Sequence, residues 1–173
     1  MDTIAVLGGF GEVARRLVLA MVIGCALGIN RDLQNKPAGL RTHALVALGA
    51  ALIVITSIGL AHAGTPPDTG SVLRVVQGVI TGIGFLGGGV ILRDRTTQSV
   101  TGLTTAASIW IAACLGIACG AGQWQVALLA VSITLAVLMF GGPVEQAIYS
   151  RLRHAGEVQH RSPGRRATDR PRP

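Results

Sequence analysis

Five apolar stretches alternate with short charged segments along the chain. They run over roughly Val13–Ile29, His43–His62, Val75–Leu92, Leu103–Cys119 and Trp124–Phe140. Each holds about 17–20 residues, which at ~1.5 Å per residue spans roughly 26–30 Å, close to the ~30 Å hydrocarbon core of a bilayer. Between the flanking charges their interiors contain no Asp, Glu, Lys or Arg. Each such residue would cost about 2.5–3.5 kcal/mol at the centre of a spanning helix. Five runs of this kind leave almost no polar face for water, which argues against a soluble helical bundle. The pattern predicts an all-α integral membrane protein, a compact bundle of five transmembrane helices. The fourth stretch is the most polar, opening with Thr104, Thr105 and Ser108.

Composition agrees. Half of the residues are hydrophobic and 13% are charged, against about 25% charged in soluble domains. Twenty-four glycines and few aromatic residues suit closely packed helices with small contact residues. The net charge of +7 does not form a nucleic-acid-binding face, because the cations cluster in loops and in the tail. No aromatic residue follows Tyr149 to stack on bases.

The distribution of cations sets the orientation. Arg31, Lys36 and Arg41 fall between the first two stretches, and Arg93 and Arg95 between the third and fourth. Seven more arginines lie in the tail, leaving Arg15, Arg16 and Arg74 for the opposite side. The richer side is expected to be cytoplasmic, with the N-terminus outside and the C-terminus inside. The domain reading is a transmembrane unit over 1–142 and a basic cytoplasmic tail over 143–173. That tail is expected to form a short helix from Glu145 to Arg153 and to be disordered beyond it. Its arginines favour anionic lipid at the inner leaflet. Val22-Ile23-Gly24-Cys25 resembles a lipoprotein cleavage site, but four apolar stretches follow it, and the segment reads as an uncleaved first helix.

Three groups of residues are candidates for function. The first is the hairpin Lys36, Pro37, Gly39, Leu40, Arg41, Thr42 and His43, where Pro37 and Gly39 break helical geometry. Arg41 is expected to anchor this loop on Asp32 or on loop carbonyls. His43 is expected to hydrogen-bond at the interface, with a proton relay as the alternative. The second is a seam between the third and fourth spans. At 100° per residue, Gln77, Thr81, Gly84 and Gly88 share one face within about 60°. Thr104, Thr105 and Ser108 supply a matching face. Close backbone approach there predicts that Gly84→Leu would block folding. The third is the set of loop charges Arg31, Asp32, Arg93 and Asp94, read as salt bridges. A cation-binding mouth at Asp32 and Asp94 is the alternative.

Gly82-Ile83-Gly84-Phe85-Leu86-Gly87 matches a dinucleotide fingerprint in form, but no strand-to-helix turn surrounds it. The sequence contains neither a phosphate-binding P-loop motif nor a zinc-binding H-E-x-x-H. Cys25, Cys114 and Cys119 lack metal-ligand spacing. No catalytic residue, metal ligand or cofactor is expected.

Three blocks carry a family resemblance: Lys36-Pro37-Ala38-Gly39-Leu40-Arg41-Thr42-His43, Gly82 to Ile91, and Gly102-Leu103-Thr104-Thr105-Ala106-Ala107 followed by Trp110. On these blocks, over about Arg16 to Ala127, the chain resembles the MgtC/SapB family of bacterial inner-membrane proteins. Asn30-Arg31-Asp32 departs from the family's usual Glu-Arg-Glu-like run, and the tail is too short for the soluble C-terminal domain of the longer members. The resemblance implies a multi-pass protein of the bacterial inner membrane. Its implied role is non-enzymatic, acting through other membrane complexes during magnesium limitation or stress, with membrane-protein partners or self-association. A magnesium or other cation transporter or channel is the alternative.

Overall fold

The computed structural model describes residues 3–63, 68–93 and 100–160, with side chains through Gln146 apart from those of Thr69, Leu92 and Arg93. Six helices and one short ladder make up these residues. A single turn, α1 (Thr3–Val6), precedes the long helices α2 (Phe10–Leu33), α3 (Leu40–Ala61) and α4 (Thr69–Val90). The strands β1 (Leu92–Arg93) and β2 (Val100–Thr101) pair antiparallel, and α5 (Leu103–Gly120) and α6 (Trp124–His160) follow.

Among the described residues, four segments are long and apolar enough to cross a membrane: Leu40–Ala61, Gly70–Val90, Leu103–Gly120 and Trp124–Gln146. In α2, Glu12, Arg15, Arg16, Arg31 and Asp32 flank a charge-free centre. Large apolar side chains point outward on all the long helices, with Phe85 85% exposed and Leu45, Leu60, Leu73 and Leu129 close behind. Such surface is incompatible with water at this density and fits a hydrocarbon solvent.

The chain divides into two compact units, Met1–Leu135 and Ala136–Pro173. In the first, α3 is flanked by two pairs of glycines four residues apart. A Cβ at Gly24 of α2 would stand 2.6 Å from the His43 carbonyl oxygen, and one at Gly28 would collide with the Leu40 backbone. From the other side, Gly116 of α5 abuts the Ala47 carbonyl, and a Cβ at Gly120 would stand 2.7 Å from the Ala51 carbonyl oxygen. Alanines on α3, including Ala44, Ala47 and Ala51, complete these contacts and are buried. Small residues on both sides let backbones approach where hydrophobicity gives no preference for protein over lipid. The buried side of α4 is Ile83 and Gly87, and Ile83 joins Ala50, Ile109 and Ala113 in one apolar cluster. In the second unit α6 continues as far as His160 with Pro143 inside it. A proline is tolerated in this way within membrane helices.

Two expectations need correction here. The helix that begins at Trp124 does not stop near Phe140 and restart at Glu145. It is continuous through Arg153 to His160. The second concerns the α4–α5 seam. Gln77, Thr81, Gly84, Gly88 and Thr104 are all exposed. Nothing comes within 4 Å of a Cβ built at Gly84 or Gly88, and the Thr81 hydroxyl donates to its own helix at the Gln77 carbonyl, 2.9 Å away. Ile83 and Gly87 face inward instead, since apolar contact with Ala106 and Ile109 favours that side over the polar one. Asp94 and Arg95, and the tail from Arg161, lie outside the described residues.

Candidate functional site

The C-terminal end of α2 and the N-terminal ends of α3 and α5 meet at one end of the helical core. The buried positions of α2 are Ala20, Ile23, Gly24, Leu27, Gly28 and Arg31, a stripe at the three-to-four-residue helical spacing. Arg31 is therefore carried into the core by the same periodicity that buries the glycines, and it is 1% exposed. Its Nη2 donates to Thr105 Oγ1 at 2.7 Å. Its Nε has no hydrogen-bond partner among the described residues.

Asp32, one position on, points away from that stripe and is exposed. Its Oδ2 accepts the backbone N–H of Leu40 at 2.9 Å. It thus caps α3 from outside, because the N-cap residue Gly39 has no side chain of its own to do so. A Cβ at Gly39 would collide with the Asp32 carboxylate. The loop is closed by the Arg31 carbonyl, which accepts the N–H groups of Gln34 and Lys36 at 3.2 and 3.1 Å. Lys36 and Pro37 are exposed at its tip, and Ala38 is buried beneath. Asp32→Ala should destabilise the protein by about 1 kcal/mol, the usual cost of a lost helix cap. Thermal unfolding in detergent would register it.

His43 is completely buried on the first turn of α3. Its Nδ1 lies 2.9 Å from the Gly39 carbonyl oxygen, which can only accept, so Nδ1 carries a proton. Its Nε2 lies 3.0 Å from Ser108 Oγ. In the neutral ring, Nε2 accepts the Ser108 hydroxyl proton. In the protonated ring, Nε2 donates to Ser108, whose hydroxyl then donates to the Thr105 carbonyl oxygen 2.8 Å away. Arg31, Thr105, Ser108 and His43 thus form one polar cluster spanning α2, α5 and α3.

Arg31 and Asp32 do not pair with each other as the loop reading expected, because they leave α2 on different faces. Arg41 is exposed, and among the described residues the Asp32 carboxylate makes the side-chain bond across the loop, to the Leu40 N–H. Leu40 and Thr42 are exposed beside it. Thr105 and Ser108 are buried as candidates should be, but against α2 and α3 rather than α4. Arg93 has a described backbone, pairing with Val100. Asp94 lies outside the described residues, so Asp32 is the one described member of the Asp32–Asp94 pair.

The other end of α5 is also met by an arginine of α2. Arg16 Nη1 donates to the Gly120 carbonyl at 2.9 Å while its Nε donates to Glu12 Oε1 at 2.8 Å. Arg15 joins the same carboxylate. Hydrogen bonds from Arg15 and then Arg16 hold the Glu12 carboxyl down at about 2. Arg16 places positive charge at the negative end of the α5 dipole, a favourable arrangement.

Long apolar helices, outward-facing aliphatic surface and a core of small residues around a buried polar cluster define an all-α, multi-pass membrane protein. The sequence model of the MgtC family matches residues 17–147, and the chain belongs to that family. It is 45% identical over 129 residues to Protein SrpB of Synechococcus elongatus, covering 71% of each chain. It is 39% identical over 134 residues to the Putative magnesium transporter YhiD of Escherichia coli K12, covering 73% of this chain and 59% of that one. With Protein MgtC of Salmonella typhimurium the identity is 43% over 119 residues, 69% of this chain and 48% of the relative. The chain thus spans only about half to three-fifths of the latter two. No solved structure matches it significantly.

Proposed function

We propose that this chain is a non-enzymatic protein of the bacterial inner membrane that modulates other membrane complexes during magnesium limitation. In this reading α2 is a span that precedes the other four and brings the total to five, with the chain's N-terminus outside and its C-terminus cytoplasmic, as the cation distribution favours. The observation that carries it is the buried Arg31 at the centre of the polar cluster. Mg²⁺ requires oxygen ligands and retains much of its water. Thr105 and Ser108 offer hydroxyl oxygens, but a guanidinium against them repels a dication. A magnesium transporter, the description attached to the YhiD relative, would need a route that avoids this cation.

The exposed apolar faces of α4 and of the Ala136–Gln146 part of α6 supply surface for lipid or for other membrane proteins. The basic tail adds attraction to anionic inner-leaflet lipid. Crosslinking in native membranes from cells grown in low magnesium, followed by purification, should recover the chain with a defined membrane-protein partner. Recovery of the chain alone, in cells that depend on it for growth, would contradict the proposal.

A further inference from the structure

We propose that the N-terminus of α5 and the Arg31 guanidinium together form a binding site for a phosphate-like oxyanion. The two ends of α5 make the case by contrast. At the C-terminal end, Arg16 meets the negative pole of the helix and donates to the Gly120 carbonyl, as electrostatics favours. At the N-terminal end, Arg31 is held against the positive pole. Its Nη2 bonds Thr105, the third residue of α5, so a full cation and the partial positive charge of the helix terminus stand side by side.

Nothing on the described chain offsets this. The first turn of α5 has no acidic residue, and its N-cap, Gly102, makes no side-chain cap. Gly102 adopts a left-handed conformation with φ +90°, and a Cβ there would strike the Val90 carbonyl, so a capping side chain is excluded. The described carboxylate adjacent to Arg31 in sequence, Asp32, is committed to the N–H of Leu40. Arg31 is 1% exposed and its Nε lacks a hydrogen-bond partner among the described residues. A buried, partly unsatisfied cation is costly unless it is paired.

An oxyanion answers each of these deficits together. Its oxygens accept from the guanidinium fork and from the free N–H groups of the first turn, the combination that binds phosphate at helix N-termini elsewhere. Thr104, exposed on that turn, leaves a side open to the surface. Phosphate chemistry reaches this position from two sources, a free phosphate or a lipid headgroup. The site shares Arg31 with the polar cluster behind the regulatory reading, but its test reads anion binding rather than recovery of a partner, so either can fail without the other.

The full chain in phosphatidylcholine nanodiscs is titrated with inorganic phosphate at constant ionic strength, with chloride as the balancing anion. Parallel nanodiscs contain phosphatidic acid in place of added phosphate. A saturable rise in unfolding temperature is expected. A rise with inorganic phosphate identifies a free-anion site, and a rise with phosphatidic acid alone identifies a headgroup site. Arg31→Gln should weaken the response about tenfold or more, in line with the strength of a charge-assisted hydrogen bond. Arg74→Gln, at an exposed arginine paired with Asp68, should leave it unchanged. Should Arg31→Gln fail to fold, Thr104→Glu supplies a carboxylate at the same helix end, and should raise basal stability while suppressing the response. The absence of a saturable rise with either probe would overturn the proposal. So would a wild-type response in Arg31→Gln, or one in folded Thr104→Glu.

Discussion

Gly116→Leu is expected to abolish stable assembly of the helical core, while Gly84→Leu and Gly88→Leu leave it intact. At Gly116 an added Cβ collides with the Ala47 carbonyl of α3, and its neighbours are backbone atoms that cannot rotate away. The helices would have to separate, undoing the contacts of Gly120 with Ala51 as well. Overpacking a core typically costs about 1–3 kcal/mol and more where the backbone must move. A four-carbon side chain against a carbonyl belongs at or above the top of that range. At Gly84 and Gly88 nothing lies within 4 Å of a new Cβ, so leucine projects into the surroundings. Size-exclusion chromatography and thermal unfolding in detergent would separate the two classes. Folded Gly116→Leu beside unfolded Gly84→Leu would restore the α4 seam and contradict this packing.

Arg31→Lys should abolish growth in low magnesium, whereas Arg41→Lys should be silent. Arg31 places its Nη2 2.7 Å from Thr105 Oγ1 inside the core. Lysine keeps the charge but concentrates it in a strongly hydrated ammonium without the planar fork. Losing a hydrogen bond from a charged donor costs about 1.5–3 kcal/mol, and the ammonium's desolvation adds to it. Arg41 stands exposed on the first turn of α3, where lysine serves equally well. Growth measured with membrane protein levels held equal would check both. Normal growth with Arg31→Lys would remove the polar cluster from the account.

The apolar segments could be read from the sequence because membrane spans are defined by length and by exclusion of charge. Their ends could not, because Phe10 and Leu33 sit beyond charged residues that a helix terminus tolerates. Past Phe140 the apolar pattern stops, yet Glu145, Gln146 and Ala147 are strong helix formers and α6 simply continues. Glycine was misread through its density. The crowded glycines of α4 attract attention, but the close contacts are made by the sparser pairs Gly24/Gly28 and Gly116/Gly120. The signal was there in their four-residue spacing, matched by the small residues of α3. Arg31 was legible on the same principle. It completes the stripe of Ala20, Gly24, Leu27 and Gly28, but its charge and its neighbour Asp32 suggested a surface salt bridge. His43, expected to hydrogen-bond at the interface, lies buried with hydrogen bonds to Gly39 and Ser108. Its partner Ser108 could not be foreseen without knowing that α5 packs against α3.

Magnesium uptake into proteoliposomes tests the central claim most directly. The purified full chain is reconstituted in bacterial lipid with a magnesium-sensitive dye inside, beside protein-free vesicles. The account predicts entry no faster than in the protein-free vesicles, with or without an imposed membrane potential. Saturable, potential-driven uptake above that of the protein-free vesicles would contradict it and establish a transporter.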